Sequence, residues 1–408
     1  MLPPILRIAF RNVLRNRRRS IITFSAVFLA LGIMVGLRGF LNGMQATLRE
    51  SIILGQTGAL QVHRKGFLKS VNTSSLELDL PTDDAFMAKI LAVPGVTAAT
   101  ARISFGGMVN ANDASAVALF TAMDPKREPV VCPRRLEMIS AGKTLAEAGP
   151  AAGIFTSELV ANLGIQLTQK ATLLTNDRDG VMNALELDFV GLYGQPGLPL
   201  PEKKIGFVPL AFAQELLRMP GRATEIAVAT QSFDAAERIK PVLQAAVGPE
   251  YEVSTWHDVA SFIDEAIAAQ NFSLNLIAAI FLFVALLGIA NTMLMSVLER
   301  TREIGTMMSV GVRRHQILTL FLLEAALLGL AGGLLGAGAG CCFVFYYGYK
   351  GMLLKFPGML APLHVYPTVT GGYILFILAL AAGGAALAAL WPSVRASRMR
   401  PVEALSAV

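Results

Sequence analysis

Little in this 408-residue sequence could carry chemistry. It has three cysteines, four histidines and 16% charged residues, where a soluble domain carries about a quarter. Cys132 stands alone in its part of the chain, so no disulfide can brace that region, which must rest on its own core. Cys341 and Cys342 are adjacent within a long apolar run, not at metal spacing in an aqueous segment. His63, His257, His315 and His364 are scattered, and no H-E-x-x-H occurs; His257 beside Trp256 and Asp258 reads as a surface turn. Neither a G-x-x-x-x-G-K-[S/T] phosphate loop nor a G-x-S-x-G nucleophile turn is present. The sequence therefore offers no catalytic, metal or cofactor site, and any energy drawn from ATP must come from another subunit.

What the sequence has is apolar length. Its mean hydropathy is +0.55, with 54% hydrophobic residues. Four runs, Ser20–Met44, Phe272–Val297, Ile317–Tyr347 and Gly371–Trp391, each reach the roughly 20 residues that cross a hydrocarbon core of ~30 Å. Charge then orients them. Segments 1–19, 298–316 and 392–408 together hold thirteen Lys/Arg against three Asp/Glu, whereas residues 46–270 hold 19 against 25. A Lys/Arg excess marks the cytoplasmic side. Both termini and the 298–316 loop are expected inside, and the 46–270 segment outside. The basic pI near 9.3 expresses this asymmetry and does not point to nucleic acid.

These signals divide the chain into a cytoplasmic amphipathic helix (1–19), a first membrane helix (20–44) and an outer domain (45–271). There follow a second membrane helix (272–297), a cytoplasmic helix (298–316), a third membrane helix (317–347), an outer loop (348–370), a fourth membrane helix (371–391) and a cytoplasmic tail (392–408). In the first segment Leu6, Phe10, Val13 and Leu14 share one face, while Arg7, Arg11 and Arg15 recur on another, suiting an anionic leaflet. A cleaved signal peptide is the alternative, but the apolar run is long and no A-x-A site closes it. Arg38 lies 19 residues beyond Arg19, about 28 Å along a helix, which puts it at the far interface within snorkelling reach.

The outer segment mixes two periodicities. Strands are expected at Gly58–His63, 171–175, Leu185–Leu192, Glu225–Ala229 and Tyr251–Ser254, with a further apolar run at Ala114–Ala122. Helices are expected at Asp83–Leu91, Ser157–Leu163, Leu210–Leu217 and Phe233–Val247. The pattern reads as an α+β module with a smaller β-rich insert at about 130–206, a hairpin turn at Asn176–Gly180 and a return at Gly194–Pro201. No break signal separates Asp258–Asn271 from the second run, or Met44 from about Ile53, so both helices are expected to project as a stalk.

Two features of the third run and one loop stand out. Gly332, Gly336 and Gly340 recur at the four-residue spacing that lets helices approach closely, either within one subunit or between two. Glu324 sits near the start of that helix, where the helix dipole tolerates an acid; a structural role is expected over a functional one. Between the second and third runs, Glu299 and Glu303 fall on one helical face, flanked by Arg300 and Arg302 and followed by Arg313 and Arg314. Ile304, Met307, Met308 and Val310 add apolar contacts. This is either a solvated connector or a short helix at the membrane surface that presents a fixed pattern to a protein partner.

At these residues the sequence becomes familiar. Glu299-Arg-Thr-Arg-Glu-Ile-Gly305, Ser309-Val-Gly311, Arg313-Arg314, Phe321-Leu-Leu-Glu324 and the glycine-rich helix resemble the FtsX-like permease half of MacB-type ABC transporters. The closing stretch Pro392–Leu405 and the outer motifs Val93-Pro-Gly-Val96, Ser157–Gly164, Asp188–Leu192 and Val208-Pro-Leu210 fit the same family. The Gly55-Gln-Thr-Gly58 region is most similar to lipoprotein-releasing permeases of Gram-negative bacteria, although the turn Asn176–Gly180 lacks the proline-bearing loop with which one such permease recruits a soluble carrier.

The resemblance implies a four-helix permease in the bacterial inner membrane, paired with a second copy or a sister permease. It implies two cytoplasmic ABC ATPase subunits, which bind ATP and Mg, seated on a coupling helix made of Glu299, Arg300, Arg302, Glu303, Ile304, Gly305, Gly311, Arg313 and Arg314. Cargo would enter from the outer leaflet between the first and second helices, where Phe40, Met44, Phe272 and Leu276 are candidates to touch acyl chains. Lipoprotein extraction is the leading expectation. The alternatives are MacB-like export of a peptide, toxin or small hydrophobic molecule with a periplasmic adaptor, and FtsX-like signalling to an envelope hydrolase without transport.

Overall fold

The computed structural model describes residues 4–15, 17–68, 76–194, 204–354 and 363–399. The expected return at Gly194–Pro201 and the end of the closing motif lie mostly outside them. The chain starts with α1 (Pro4–Arg15), α2 (Arg17–Ile52) and a π-turn (Ile53–Thr57). Then come β1 (Leu60–Arg64), β2 (Leu80–Pro81), α3 (Asp84–Leu91), β3 (Val96–Ala111), β4 (Ala114–Met123), α4 (Glu128–Val131) and α5 (Arg134–Glu137). They are followed by β5 (Ile139–Gly142), α6 (Leu145–Ala148), β6 (Ala152–Thr156), α7 (Ser157–Leu163), β7 (Lys170–Asn176) and β8 (Met182–Tyr193). Next are β9 (Ile205–Pro209), α8 (Leu210–Leu216), β10 (Arg222–Ala223), β11 (Glu225–Thr230), α9 (Ala236–Val247), β12 (Tyr251–Thr255) and α10 (Trp256–Val259). The chain ends with α11 (Ser261–Glu299), α12 (Thr301–Ser309), α13 (Arg314–Lys350), β13 (Met352–Leu354), β14 (Leu363–Val365) and α14 (Gly371–Ser397).

Two compact units result: a helical one from Met1–Gln45, Ile267–Met352 and His364–Val408, and an α/β one from Ala46–Ala266 and Leu353–Leu363. Among the described residues, four helices are long and apolar enough to cross a membrane, and they lie in α2, α11, α13 and α14. In lipid there is no hydrophobic drive to bring such helices together, so close backbone approach and polar contacts must do it. Helix α13 supplies the first. A Cβ on Gly336 would lie 2.4 Å from the Phe28 carbonyl oxygen of α2, and one on Gly340 2.8 Å from the Gly32 carbonyl oxygen. Gly332 likewise leaves only 3.0 Å to the Val27 Cβ. A second row, Gly329 and Gly333, faces Ala385 and Ala381 of α14 at 2.6 and 3.0 Å. The Gly332/Gly336/Gly340 face is therefore used within the chain.

Polar contacts join α2 to α11. The Thr23 hydroxyl donates to Thr292 Oγ1 at 2.8 Å, Arg38 Nη1 to Asn271 Oδ1 at 3.0 Å and Gln45 Nε2 to Gln270 Oε1 at 3.0 Å. Arg38 also lies over the Tyr373 ring, 5.8 Å from its centroid. The sequence suggested a side chain reaching toward an interface, and the structure adds a specific amide and an aromatic face to receive it.

The α/β unit is built on a ten-stranded sheet in the order β12-β1-β11-β3-β4-β9-β6-β8-β5, with β7 bridging β3 and β8. Among the described residues, β4/β9 and β6/β8 run parallel and the other pairs of this sheet antiparallel. Strand β4 shows the alternation that fixes its register: Ala116, Ala118, Phe120 and Ala122 are buried, while Val117 and Leu119 face outward. The expected insert is not a separate sheet. Its strands join the common one through β6/β9 and β3/β7, although Met123, Met138, Ile154, Tyr193 and Phe207 form a small core of their own. The hairpin turn is pinned to its own domain. Asp177 Oδ1 accepts from the Asp179 and Val181 amides at 3.0 and 2.9 Å, and Arg178 Nη1 meets the buried Asp79 carboxylate at 3.0 Å.

The helix expected to begin at Asp258 is interrupted. Ala260, with φ −114 and ψ 38, separates α10 from α11. Strands β1 and β12 pair antiparallel, with Leu60 opposite Thr255. The π-turn before β1 and α10 after β12 thus sit at one end of the sheet, where the Trp256 amide donates to the Ala59 carbonyl at 3.3 Å and the Arg49 guanidinium lies 5.3 Å from the Trp256 ring centroid.

Two buried ionisable groups inside this unit are held below their ordinary values. Burial alone would push the Glu128 carboxyl up, but Arg102 and Arg135 override it and hold the carboxyl below its ordinary 4.5. Burial lowers the His63 imidazole below 6.5 against the pull of Glu225 and Glu252, its partners across the register on β11 and β12. Both folded-state values lie below the unfolded ones. Stability is therefore lost as pH falls, first below about 6.5 for His63 and then below about 4.5 for Glu128. Following thermal unfolding by emission of Trp256, which is 3% exposed, should give a lower midpoint at pH 5.5 than at pH 7.5, and His63→Gln should remove most of that difference. In the helical unit, Gly336→Val should cost about 1–3 kcal/mol by overpacking and yield detergent-extracted protein that aggregates on size exclusion. Gly338→Val, with nothing within 4 Å of its Cβ, should behave as wild type.

Candidate functional site

Helix α12 and its flanks carry a concentrated group of charges that the sequence singled out. Helix α11 ends at Glu299, and Arg300 precedes α12 with a non-helical φ of −103. Nine residues later the chain turns sharply. Val310, Gly311 and Val312 donate amide hydrogens back to Thr306, Met308 and Met307 carbonyls. Gly311 has φ +98, a conformation that favours glycine. The Arg313 amide then donates to Gln316 Oε1 at 2.9 Å, starting α13. A short helix between two tight turns follows from this sequence because Thr301–Ser309 is amphipathic. Ile304 is fully buried with Val297, Ile317, Phe321 and Ala396, and Met307 and Met308 pack at the edge.

The charged residues sort into two sets. Arg300 is 6% exposed; its Nε donates to Glu303 Oε2 at 2.9 Å, its Nη1 to Glu324 Oε2 at 3.4 Å, and its guanidinium lies 5.7 Å from the Phe321 ring centroid. Glu303 also takes a charge-assisted hydrogen bond from Arg15 of α1. The hydrogen bond from Arg300, with that from Arg15, holds the Glu303 carboxyl below the usual range despite some burial. A relay Arg15–Glu303–Arg300–Glu324 thus ties α12 to both α1 and α13. Glu324, 3% exposed, is the buried end of that relay.

The second set faces outward. Arg302, Gly311, Arg313 and Arg314 are exposed beside Val310, which is 86% exposed. Of the nine residues grouped as a coupling helix, Arg300, Ile304 and Gly305 are buried and Glu303 is half-exposed. These four hold the helix in place, and the outward cations and Val310 remain to meet anything else. Glu299 is exposed and has an interaction of its own. The relay was not legible in the sequence because Arg15 and Glu303 are 288 positions apart. An acid early in α13 with an arginine just after α11 was the available hint.

Of the four residues suggested for acyl contact, Phe40 and Met44 lie on α2 and Phe272 and Leu276 on α11. Phe40 lines a groove of about 550 Å³ between α2 and α13 with Phe28, Gly32, Gly36, Gly340 and Phe343. Met44 is half-buried further along α2, while Phe272 and Leu276 are 71% and 54% exposed on α11. Among the described residues, no three His, Cys, Asp or Glu side chains are grouped to hold a metal ion.

Removing one end of the relay gives a graded outcome. Arg300→Met leaves Glu324 buried without its partner and should cost about 3–5 kcal/mol, while Arg300→Met with Glu324→Met should recover much of the loss. Glu303→Gln, at a half-exposed carboxylate, should cost under about 1 kcal/mol. Thermal midpoints of the detergent-solubilised variants measure all three. Equal losses for Arg300→Met and Glu303→Gln would contradict the assignment of Arg300–Glu324 as the buried pair.

Residues 275–401 match the family described as FtsX-like permease C-terminal. A permease named as an uncharacterized ABC transporter permease, YknZ of Bacillus subtilis, is 36% identical over 155 residues, covering 38% of this chain and 36% of YknZ. The macrolide export ATP-binding/permease protein MacB of Sodalis glossinidius is 40% identical over 134 residues, covering 33% of this chain and 19% of MacB. The matched stretches thus span about a third or less of these relatives. A crystal structure of the periplasmic region of MacB from Actinobacillus actinomycetemcomitans aligns over 54% of this chain and 98% of its own, at 9% identity and a TM-score of 0.36. The stretch that carries α12, Arg300, Glu324 and the glycine-rich α13 is thus similar to the FtsX-like permease C-terminal family, and the relatives it resembles are ABC transporter permeases of the MacB and YknZ kind.

Proposed function

We propose that this chain is the membrane subunit of an ABC transporter in the bacterial inner membrane and that it converts ATP hydrolysis by separate cytoplasmic subunits into movement of its outer domain. The observation that carries the reading is the relay Arg15–Glu303–Arg300–Glu324 beneath an exposed basic face. A connector that only joined two helices would not need a buried arginine and a buried glutamate. A helix that receives force does, because a contact moves α1 and α13 only if it is rigidly joined to them. In this reading α12 is the coupling helix, Arg302, Val310, Arg313 and Arg314 touch the ATPase, and the Lys/Arg distribution puts that end in the cytoplasm.

The cargo of this reading is an amphiphile withdrawn from the outer leaflet, foremost a lipoprotein. The close seam between α13 and α2 supports a mechanism in which nothing passes through the chain's own bundle. Phe40, beside the apolar groove between those helices, is the best placed of the four suggested contacts. A second reading, export of a peptide, toxin or small hydrophobic molecule with a periplasmic adaptor, is favoured by the likeness to a protein named for macrolide export.

Arg313→Glu combined with Arg314→Glu should leave the permease folded and membrane-inserted but abolish co-purification of the ATPase, and retention of the ATPase would refute the coupling assignment. Maleimide labelling in intact cells should reach Arg178→Cys and not Arg302→Cys; the opposite pattern would invert the topology. Mass spectrometry of the purified complex then separates the cargo readings: bound lipoprotein supports extraction, and a bound small molecule or adaptor supports export.

A further inference from the structure

The α/β unit holds a group of arginines that the transport reading does not by itself use. Arg102 is the only charged residue in β3, and it is 1% exposed. Its Nη1 donates to the Gln56 carbonyl at 2.6 Å, and its Nε and Nη2 grip Glu128 at 3.0 and 2.7 Å. Arg135, on α5, shares Glu128 at 3.3 Å and donates from Nε to the Gly55 carbonyl at 3.0 Å and from Nη2 to the Gln56 carbonyl at 2.8 Å. Arg134, its neighbour, pairs with Glu50 at 3.0 Å and donates to Ser51 Oγ at 3.3 Å. Three guanidiniums thus converge on the last turn of α2 and the π-turn that follows it.

This is an unusual way to end a helix. The terminal carbonyls of a helix lack partners within it and carry the negative end of its dipole. Water or a glycine turn usually satisfies them. Here two buried cations do so, and those cations are themselves fixed to a strand at the middle of the sheet and to a carboxylate. Arginine suits the task because its planar fork reaches two acceptors at once in a set direction, which a lysine cannot do. The grip is also double-sided: Glu225 of β11 lies 3.5 Å from Arg102, so the end of α2 is connected to two adjacent central strands. A helix merely resting on the domain would need none of this.

We infer that Arg102, Arg134 and Arg135 form a clamp through which displacement of α2 is delivered into the sheet of the α/β unit. They are positioning residues for transport, and the inference rests on the proposed function, since it presupposes that ATP moves α2. The clamp makes the end of α2, the π-turn and strands β3 and β11 one mechanical body. Loosening it leaves α2 free to move while the sheet stays behind.

Hydrogen exchange read by mass spectrometry tests this on the complete permease–ATPase complex in nanodiscs, with and without ATP plus vanadate. In the wild type, nucleotide trapping should change exchange both in residues 46–57 and in β3 and β11. In Arg135→Lys, which keeps the charge beside Glu128 and loses the fork, the change at residues 46–57 should persist and that in β3 and β11 should be lost. Arg134→Gln, at a partly exposed site that cannot endanger the core, should diminish the sheet response in the same direction, so the test survives if Arg135→Lys fails to fold. A sheet response equal to wild type in both variants overturns the clamp while leaving the functional reading intact. A wild type with no nucleotide effect at residues 46–57 overturns the functional reading, and the clamp with it.

Discussion

A guanidinium buried beneath a nine-residue helix is the constraint on which the helical unit turns. Arg300 is buried over the Phe321 ring and faces two carboxylates, Glu303 and the equally buried Glu324, so removing either member of the Arg300–Glu324 pair leaves the other buried without that partner. Neither residue is placed to meet a partner directly. Together they fix the angle at which α12 leaves α11 and meets α13, and the Glu303–Arg15 contact extends that fixity to α1. Force applied to the exposed basic face is then borne by three helices at once.

Rigidity at that end is useful only if the helices above it move as bodies. Glycines on two faces of α13 bring α2 and α14 to backbone contact, and such interfaces shift between discrete packings more readily than they deform. Within the α/β unit, the same role falls to hydrogen bonds and buried charge. Its sheet is drawn together by pairings between strands far apart in sequence, and β1 and β12, next to each other in that sheet, are also where the chain enters and leaves the domain.

Much of this was legible in the residues, and the exceptions have physical causes. The spanning helices follow from length and hydropathy alone. Short elements with clear boundaries, such as α3 behind Asp83, whose carboxylate accepts from the Phe86 amide, match their expected limits. Strand β3 escapes the sequence reading because its first half is Ala- and Thr-rich without apolar alternation and Gly106-Gly107 blur the alternation of Ile103–Ala111, while β11, β4 and β7 flank it along its sixteen residues. The small β-rich insert looked separate because its pairing to β9 and β3 is non-local. Arg102 was overlooked for the same reason: a lone arginine in an apolar strand signals a buried partner, yet nothing nearby in sequence identifies Glu128 or the Gln56 carbonyl.

The central claim is that the exposed face of α12 is seated on an ATPase subunit. A photo-crosslinking amino acid placed at Val310, which is 86% exposed and takes no part in the relay, tests it most directly in intact membranes. The account predicts a single dominant adduct between this chain and a cytoplasmic nucleotide-binding subunit, weakened when ATP is depleted. Adducts confined to lipid, or to a protein on the opposite side of the membrane, would contradict it.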